Sequence, residues 1–191
     1  MNTAEHIVES YFRLCRGCFT CSDRKVVSGN NRQLDILAYN LKDKLQFHIE
    51  VGVTHRPNWC PTKEDLRAEF ERKFFGLPPK RTSKTGGATD FEKKKAYFEQ
   101  IEETYANAGF SRDDVRRVWV CWIVKDEATK SRSLVLPFTH LSRTFEIEVL
   151  SLRDCVIPDL MNATGTANYD DEILRTLGFI KQRELQTNVA R

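Results

Sequence analysis

The chain has 191 residues, of which 40% are hydrophobic and 30% charged, and its formal net charge is +3. A disordered chain would carry fewer apolar residues and a more one-sided charge, so this composition predicts one globular domain over residues 1–191. No run of about 18 apolar residues is present, and we therefore expect no membrane span. The charged side chains among the first twenty residues exclude a secretory signal, so we expect a cytoplasmic protein.

Hydrophobic periodicity predicts a helix, a three-stranded antiparallel meander, helices, a buried strand, a further strand and a closing helix, in that order. In chain order, the predicted bounds are helix 3–15, strands 19–28, 33–39 and 45–54, helices from 62 to about 75 and 90–107, strands 117–124 and 145–150, and helix 170–181. Thr62 is the predicted N-cap of the second of these helices. Short polar turns join the first three strands, which is typical of antiparallel neighbours. We therefore expect an α/β fold with a mixed sheet flanked by helices.

The positive charge is concentrated in one segment. Residues 56–95 contain eleven Lys or Arg against six Asp or Glu, a local charge of +5. A basic insertion of this kind can contact a phosphate backbone, but it fits the solvated face of helices equally well. The candidate nucleic-acid contacts in it are Lys73, Lys80, Arg81, Lys84 and Lys94.

Aromatic side chains also occur in and beside this insertion. Trp59, Phe74, Phe75 and Tyr97 lie among the basic residues, where aromatic rings can stack on unpaired bases. At helical spacing, however, such residues more often form the buried side of a helix. We therefore interpret them mainly as core residues.

Three of the six cysteines have a spacing that metal sites use, because two residues separate Cys15 from Cys18 and Cys18 from Cys21. However, Cys15 ends a predicted helix, and an odd separation within a strand points Cys18 and Cys21 to opposite faces. We therefore interpret the cysteines as reduced, mostly buried thiols, and a zinc or iron–sulfur module stays a less favoured hypothesis.

Two carboxylates stand out because they interrupt apolar strands. Asp35 lies within Leu-Asp-Ile-Leu-Ala, and Glu50 lies within Phe-His-Ile-Glu-Val. A carboxylate inside an apolar strand is costly unless it is paired or bound to a cation. Two adjacent strands can bring both groups together, and a divalent ion such as Mg²⁺ or Mn²⁺ would relieve their repulsion. The alternative is that one or both point to solvent.

The same residues resemble the PD-(D/E)XK nuclease superfamily, which includes type II restriction enzymes and archaeal Holliday-junction resolvases. A helix with Glu5, the strand around Asp35, a gap of fourteen residues and the strand around Glu50 carry this resemblance over residues 1–55. It implies a restriction-endonuclease-like core, and Asp35, Glu50 and the Val51 carbonyl as metal ligands. It also implies that Glu5 assists directly or through water.

One position departs from the family pattern. The resemblance expects a lysine two residues after Glu50, and Gly52 occupies that position. His48 shares the strand face of Glu50, and Gln33 shares that of Asp35, so either could take over part of the lysine's role. Other candidates for this role are Thr54, His55, Lys73 and Lys94.

The leading hypothesis is thus a metal-dependent nuclease that hydrolyses phosphodiester bonds of DNA, using Mg²⁺ or Mn²⁺ with Asp35 and Glu50 as ligands. The resemblance also implies a possible homodimer. The alternative, prompted by Gly52, is a catalytically inactive protein of the same fold that acts as a nucleic-acid-binding or scaffold module.

Overall fold

The computed structural model describes residues 1–29, 31–54, 60–77, 97–126 and 129–189. These residues form five α-helices, which are α1 (Thr3–Leu14), α2 (Lys63–Lys73), α3 (Phe98–Asn107), α4 (Ile157–Ala163) and α5 (Glu172–Val189). They also form eight strands, which are β1 (Cys18–Lys25), β2 (Gln33–Asn40), β3 (Leu45–Val51), β4 (Val115–Cys121), β5 (Val124–Asp126), β6 (Thr129–Ser131), β7 (Ser133–His140) and β8 (Arg143–Ser151). A π-helical turn, Leu152–Val156, leads into α4.

Six of these strands form one mixed sheet in the order β1-β2-β3-β4-β8-β7. The first three strands are an antiparallel meander, as the sequence predicts, whereas β4 is parallel to both of its neighbours. The mixed α/β architecture is therefore confirmed. β5 and β6 pair separately as a small antiparallel hairpin.

Helix α1 begins with a capping box. The Asn2 side chain accepts a hydrogen bond from the Glu5 backbone N–H, and the Glu5 carboxylate accepts one from the Asn2 backbone N–H. This reciprocal pair satisfies two amide groups that a helix N-terminus leaves without partners. The buried side of α1, which includes Val8 and Phe12, packs on the sheet together with α4 and α5.

The opposite face of the sheet is covered by α2 and α3. Thr62 caps α2 as predicted, through a second capping box with Asp65. Phe70 lies on the buried side of α2, and Phe74 is the C-terminal cap of this helix. Both rings contact the ring of Trp119 on β4. This packing fixes the direction of α2 and so decides where the neighbouring Lys73 side chain points.

The fold differs from the sequence prediction mainly at the sheet edges and near the C-terminus. The sequence did not predict the edge strand β7, which has a proline and alternating exposed residues, or the β5–β6 hairpin and α4. The first strand ends at Lys25 rather than 28, the third ends at Val51 rather than 54, and the closing helix extends to Val189.

Helix α3 is described from Phe98 onward, so the predicted start of this helix at Asp90 lies outside the described residues. Within the described ranges, no helix has both the length and the apolar character that crossing a membrane requires.

Candidate active site

Strand register brings Asp35 and Glu50 to the same place. Ile36 pairs with Ile49 in the antiparallel β2–β3 ladder, so Asp35 and Glu50 lie opposite each other one step beyond that pair. The backbone N–H of Asp35 is 3.4 Å from Glu50 Oε1, and the backbone N–H of Val51 donates to Asp35 Oδ2 at 2.9 Å. Both residues are buried, Glu50 completely and Asp35 with 8% of its surface exposed. The alternative that either carboxylate points to solvent is therefore wrong.

A lysine from α2 completes this cluster. Lys73 Nζ lies 2.5 Å from Glu50 Oε2 and 3.2 Å from Asp35 Oδ1, and its side chain is only 23% exposed. Burial lowers the pKa of Lys73, but the negative charges of Glu50 and Asp35 outweigh this effect and leave the pKa raised. The lysine therefore carries its proton at neutral pH and acts as the counter-ion of two carboxylates.

Burial acts on the carboxylates in the opposite sense. It raises the pKa of Asp35 to about 6, aided by the adjacent charge of Glu50 and opposed by Lys73. It also raises the pKa of Glu50, again against the effect of Lys73. Two acids held close together away from water favour a cation beside them, because a positive charge relieves both the desolvation and the mutual repulsion.

His48 lies behind Glu50 rather than at the surface. It is fully buried, its Nε2 is 2.8 Å from Glu50 Oε1, and its Nδ1 is 2.7 Å from the hydroxyl of Tyr105 on α3. Burial and the nearby charge of Arg117 lower the pKa of His48 to about 3, so the ring is neutral. With Glu50 ionised beside Lys73, its carboxylate only accepts hydrogen bonds, and in that state Nε2–H donates to Glu50 and Nδ1 accepts from Tyr105.

Arg117 adds a buried positive charge next to this chain of hydrogen bonds. Its guanidinium carbon lies 4.4 Å from the centre of the Phe145 ring, and its Nη1 donates to the Val115 carbonyl. No carboxylate pairs with it in the part of the chain that the structure describes. Neither Arg117 nor Tyr105 was predicted from the sequence as a functional residue. A charged residue at the start of an apolar strand is the same anomaly that singled out Asp35, so Arg117 could have been found.

Gly52 is explained by its neighbour on β4. A Cβ atom at position 52 would lie 2.0 Å from Cζ2 of Trp119, so no side chain fits there while the indole keeps its place. The position at which the resemblance expects a lysine is therefore closed to any side chain. Lys73 instead reaches the same carboxylates from the end of α2, the helix that follows β3 in the chain.

The remaining candidate residues lie elsewhere or outside the described ranges. Both carboxylate oxygens of Glu5 accept hydrogen bonds from Asn2, and the exposed Gln33 donates to Asp23. Lys73, predicted both as a nucleic-acid contact and as a candidate for the missing lysine's role, points into the carboxylate pair. Four predicted nucleic-acid contacts and two other candidates fall outside the described residues, namely Lys80, Arg81, Lys84, Lys94, His55 and Trp59.

The aromatic and cysteine side chains follow the interpretation as core residues and buried thiols only in part. Phe74 and Phe75 are fully buried, so their interpretation as core residues is confirmed, while Tyr97 is half-buried. Among the first three cysteines, Cys18 is buried in the α1 side of the core and Cys21 is exposed.

The cluster offers hard oxygen ligands to a metal ion. Within the described ranges, no three or more His, Cys, Asp or Glu side chains form a ready metal-binding group. Two carboxylates are nevertheless the usual protein share of a Mg²⁺ site, because this ion keeps water and substrate phosphate oxygens as its other ligands. Asp35 and Glu50 therefore fit the Mg²⁺ or Mn²⁺ that the resemblance implies.

Comparisons of the chain with models of known protein families, with curated proteins and with solved structures find no match.

Proposed function

We propose that this protein is a metal-dependent nuclease of the PD-(D/E)XK type that hydrolyses phosphodiester bonds of DNA. The observation that carries the proposal is the convergence of Asp35, Glu50 and Lys73 in one buried cluster. These are the residue types that the resemblance expects, and their charges are placed where a chain without such chemistry would bury apolar groups. The antiparallel meander followed by a parallel strand supports a restriction-endonuclease-like core.

Each residue has a distinct task in this proposal. Asp35 and Glu50, with the Val51 carbonyl, would hold Mg²⁺ or Mn²⁺, which supplies Lewis-acid activation of water and of the phosphate. Lys73 holds a proton at Nζ beside the carboxylates, where its charge stabilises negative charge on a phosphate in the transition state. His48 orients Glu50 and does not contact substrate, because the ring is fully buried.

The cluster also favours an active enzyme over an inactive relative of the same fold. Burying three charged groups together costs free energy that well-packed apolar residues would not. A module that only binds nucleic acid or a partner has no use for this arrangement beneath its surface. The main reason to consider an inactive module was the absence of a lysine at Gly52. Lys73 supplies an ammonium group at the same carboxylates, which weakens that reason.

The first experiment is a calorimetric titration of Mn²⁺ and Mg²⁺ into the wild type and an Asp35→Asn/Glu50→Gln variant, with cleavage of plasmid and single-stranded DNA assayed in parallel. We expect the variant to lose both cation binding and cleavage. Absence of binding in the folded wild type, or cleavage that survives in the variant, would overturn the proposal. Cation binding without cleavage of either DNA would favour the inactive module.

A second variant separates the role of the lysine from that of the carboxylates. We expect Lys73→Met to bind Mn²⁺ at least as tightly as the wild type, because the competing ammonium group is gone. Cleavage should nevertheless fall by at least about 100-fold, since a charge that stabilises the transition state is lost. Lys63→Met, at the exposed first turn of the same helix, is the matched control and should leave both properties unchanged.

A further inference from the structure

A groove runs along the edge strand β1, beside the C-terminal half of α3. It consists of two adjoining cavities of about 330 and 380 Å³, which share Cys21, Arg24 and Asn107 in their walls. The larger cavity extends towards Lys25 and Thr104, and the smaller one towards Phe19 and Phe110. The groove lies on the same face of the sheet as the carboxylate cluster, because Cys21 pairs with Leu37 and Leu37 pairs with His48.

The smaller cavity is lined by three aromatic rings that are not fully buried. Phe19 is 71% exposed although it lies within a strand. Tyr39 is its partner in the β1–β2 ladder, and the Tyr39 ring lies 6.3 Å from that of Phe110, centre to centre. Both of these rings are half-buried. Flat, partly exposed rings around a cavity offer stacking surfaces to a planar ligand.

The larger cavity is lined by cations without acidic partners. Arg24 and Lys25 are exposed, and neither forms an ion pair within the described ranges. Asp23 also lines the larger cavity, but it accepts a hydrogen bond from Gln33 and its charge is balanced by an ion pair with the amino group of Met1. The free charge on the groove wall is therefore positive, which suits a chain of phosphates.

The cationic end of the groove points toward the candidate active site. Lys25 pairs with Gln33 at the start of β2, and Gln33 is two residues from Asp35 on the same strand. A strand of nucleic acid that lies in the groove would thus pass its phosphates along Arg24 and Lys25 toward the carboxylates.

We propose that this groove binds an unpaired segment of a DNA strand, with bases stacked on Phe19, Tyr39 and Phe110 and phosphates held by Arg24 and Lys25. This inference rests on the proposed nuclease function, and it specifies unpaired DNA as the form of the substrate. A duplex presents its phosphates outward and keeps its bases stacked inside, so it would leave the three rings without a partner. Stacking on aromatic side chains beside a cationic track is the usual way to hold unpaired bases without regard to sequence.

The test measures binding of a fluorescent ten-nucleotide oligothymidine, by anisotropy and in EDTA, so that the result does not depend on cleavage. We expect Phe19→Ala to weaken binding about tenfold, because one stacking partner is lost. Arg24→Glu/Lys25→Glu should weaken it by a similar or larger factor and reduce its salt dependence. Phe19, Arg24 and Lys25 are all exposed, so these variants should still fold.

The chain offers matched controls on the other side of the sheet. Phe179 on α5 is 65% exposed, and Arg183 is an exposed cation on the same helix. Phe179→Ala and Arg183→Glu should bind the oligonucleotide like the wild type. Equal binding by the groove variants and these controls would overturn the proposal, as would tighter binding of a hairpin duplex than of the single strand, or no binding by the wild type.

These outcomes separate the groove from the nuclease activity. If the groove variants lose oligonucleotide binding while the wild type cleaves no DNA, the groove stands as a binding site and the nuclease proposal fails. If the wild type cleaves DNA and the groove variants bind normally, the nuclease proposal stands and the groove fails.

Cys21 provides an independent readout inside the groove. It is an exposed free thiol in the wall of both cavities. We expect the oligonucleotide to slow alkylation of Cys21, located by mass spectrometry, without slowing that of thiols elsewhere in the chain. Unchanged alkylation of Cys21 at saturating oligonucleotide would contradict the proposal.

Discussion

The side chains on the two faces of β3 are equally buried but differ in chemistry. Phe47 and Ile49 face α1 and join an apolar cluster, whereas His48 and Glu50 face α2 and α3. All four are at most 3% exposed. One strand thus carries apolar core residues on one side, and on the other a carboxylate and an imidazole that are costly to bury without hydrogen-bond partners.

The difference between the two faces indicates which side chains stabilise the fold and which are available for chemistry. On the apolar face, each side chain contributes through the area it removes from water. On the polar face, Glu50 is held by Lys73 and His48, and His48 is held by Tyr105, so each group depends on the next. Substitutions on the apolar face should therefore change stability, and substitutions on the polar face should change cation binding and cleavage.

The sharpest test of this comparison uses neighbouring residues of β3. We expect Ile49→Ala to lower the free energy of unfolding by about 2–5 kcal/mol, because it leaves a cavity in the apolar cluster. Glu50→Gln keeps the shape of the side chain and leaves Lys73 paired with Asp35, so stability should change by only about 1 kcal/mol. Cleavage by Glu50→Gln should fall on the order of 10³-fold.

Urea denaturation and DNA cleavage of the two variants, measured side by side, check this expectation. The folded fraction of Ile49→Ala should retain cleavage. If Glu50→Gln were the less stable of the two while cleavage persisted, the polar face would be a structural element and the contrast between the faces would be wrong.

The next largest effect is the pH dependence of stability, measured in the absence of divalent cations. The pKa of Asp35 is about 6 in the folded protein, above its ordinary value of 3.8, so the folded state binds the proton more tightly. Stability therefore falls as pH rises between these values, and the ionised Asp35 costs about 3 kcal/mol above pH 6. Below pH 3.8 both states are protonated and this cost is absent.

Asp35→Asn isolates this contribution. We expect the difference in unfolding free energy between variant and wild type to grow in favour of the variant from pH 4 to 6 and then level off. Asp113→Asn removes an exposed carboxylate and serves as the control. A difference between Asp35→Asn and the wild type that does not change with pH would contradict the buried placement of Asp35.

A substitution at Gly52 tests how closely the Trp119 ring packs against β3 on the polar face. We expect Gly52→Ala to lower the free energy of unfolding by about 1–3 kcal/mol, because the new Cβ overlaps the Trp119 indole and forces it to move. The same substitution should cost less in a Trp119→Phe background, where the smaller ring leaves room. Equal costs in both backgrounds, by urea denaturation, would show that Trp119 is not what excludes a side chain.

The sequence was sufficient where local patterns decide the structure. The amphipathic period of α1, the Thr62 cap of α2 and the apolar run of β4 all predicted elements that the structure contains. The pairing of Asp35 with Glu50 followed from two short-connected strands, whose register is set locally. Edge strand β7 was missed because its exposed residues and Pro137 weaken the strand pattern.

The rest depends on contacts between distant parts of the chain. Lys73 was one of several residues that could take over from the missing lysine, and only the packing of Phe70 and Phe74 on Trp119 selects it. The reason for Gly52 is likewise a tryptophan 67 residues away. No local propensity records such encounters, because they arise from how a helix docks on a sheet.

The smallest expected effect concerns the far end of the hydrogen-bond chain. Tyr105→Phe removes the hydroxyl that donates to His48 Nδ1, at 2.7 Å, and leaves that buried nitrogen without a partner. We expect a loss of about 1 kcal/mol in the free energy of unfolding. Cleavage should fall about tenfold, since His48 then holds Glu50 less firmly and partners of metal ligands contribute on that scale.

Two measurements separate positioning from mere support in this case. Tyr169→Phe removes a hydroxyl that accepts a hydrogen bond from the Gly165 backbone N–H in the cluster on the α1 side of the sheet, so it should leave Mn²⁺ affinity and cleavage unchanged. For Tyr105→Phe, Mn²⁺ affinity by calorimetry should weaken together with cleavage, because both depend on the orientation of Glu50. A variant that loses stability but keeps Mn²⁺ affinity and cleavage would mean that Tyr105 only fills space. The polar face would then end at His48, and its groups would be less strongly coupled than the comparison with the apolar face requires.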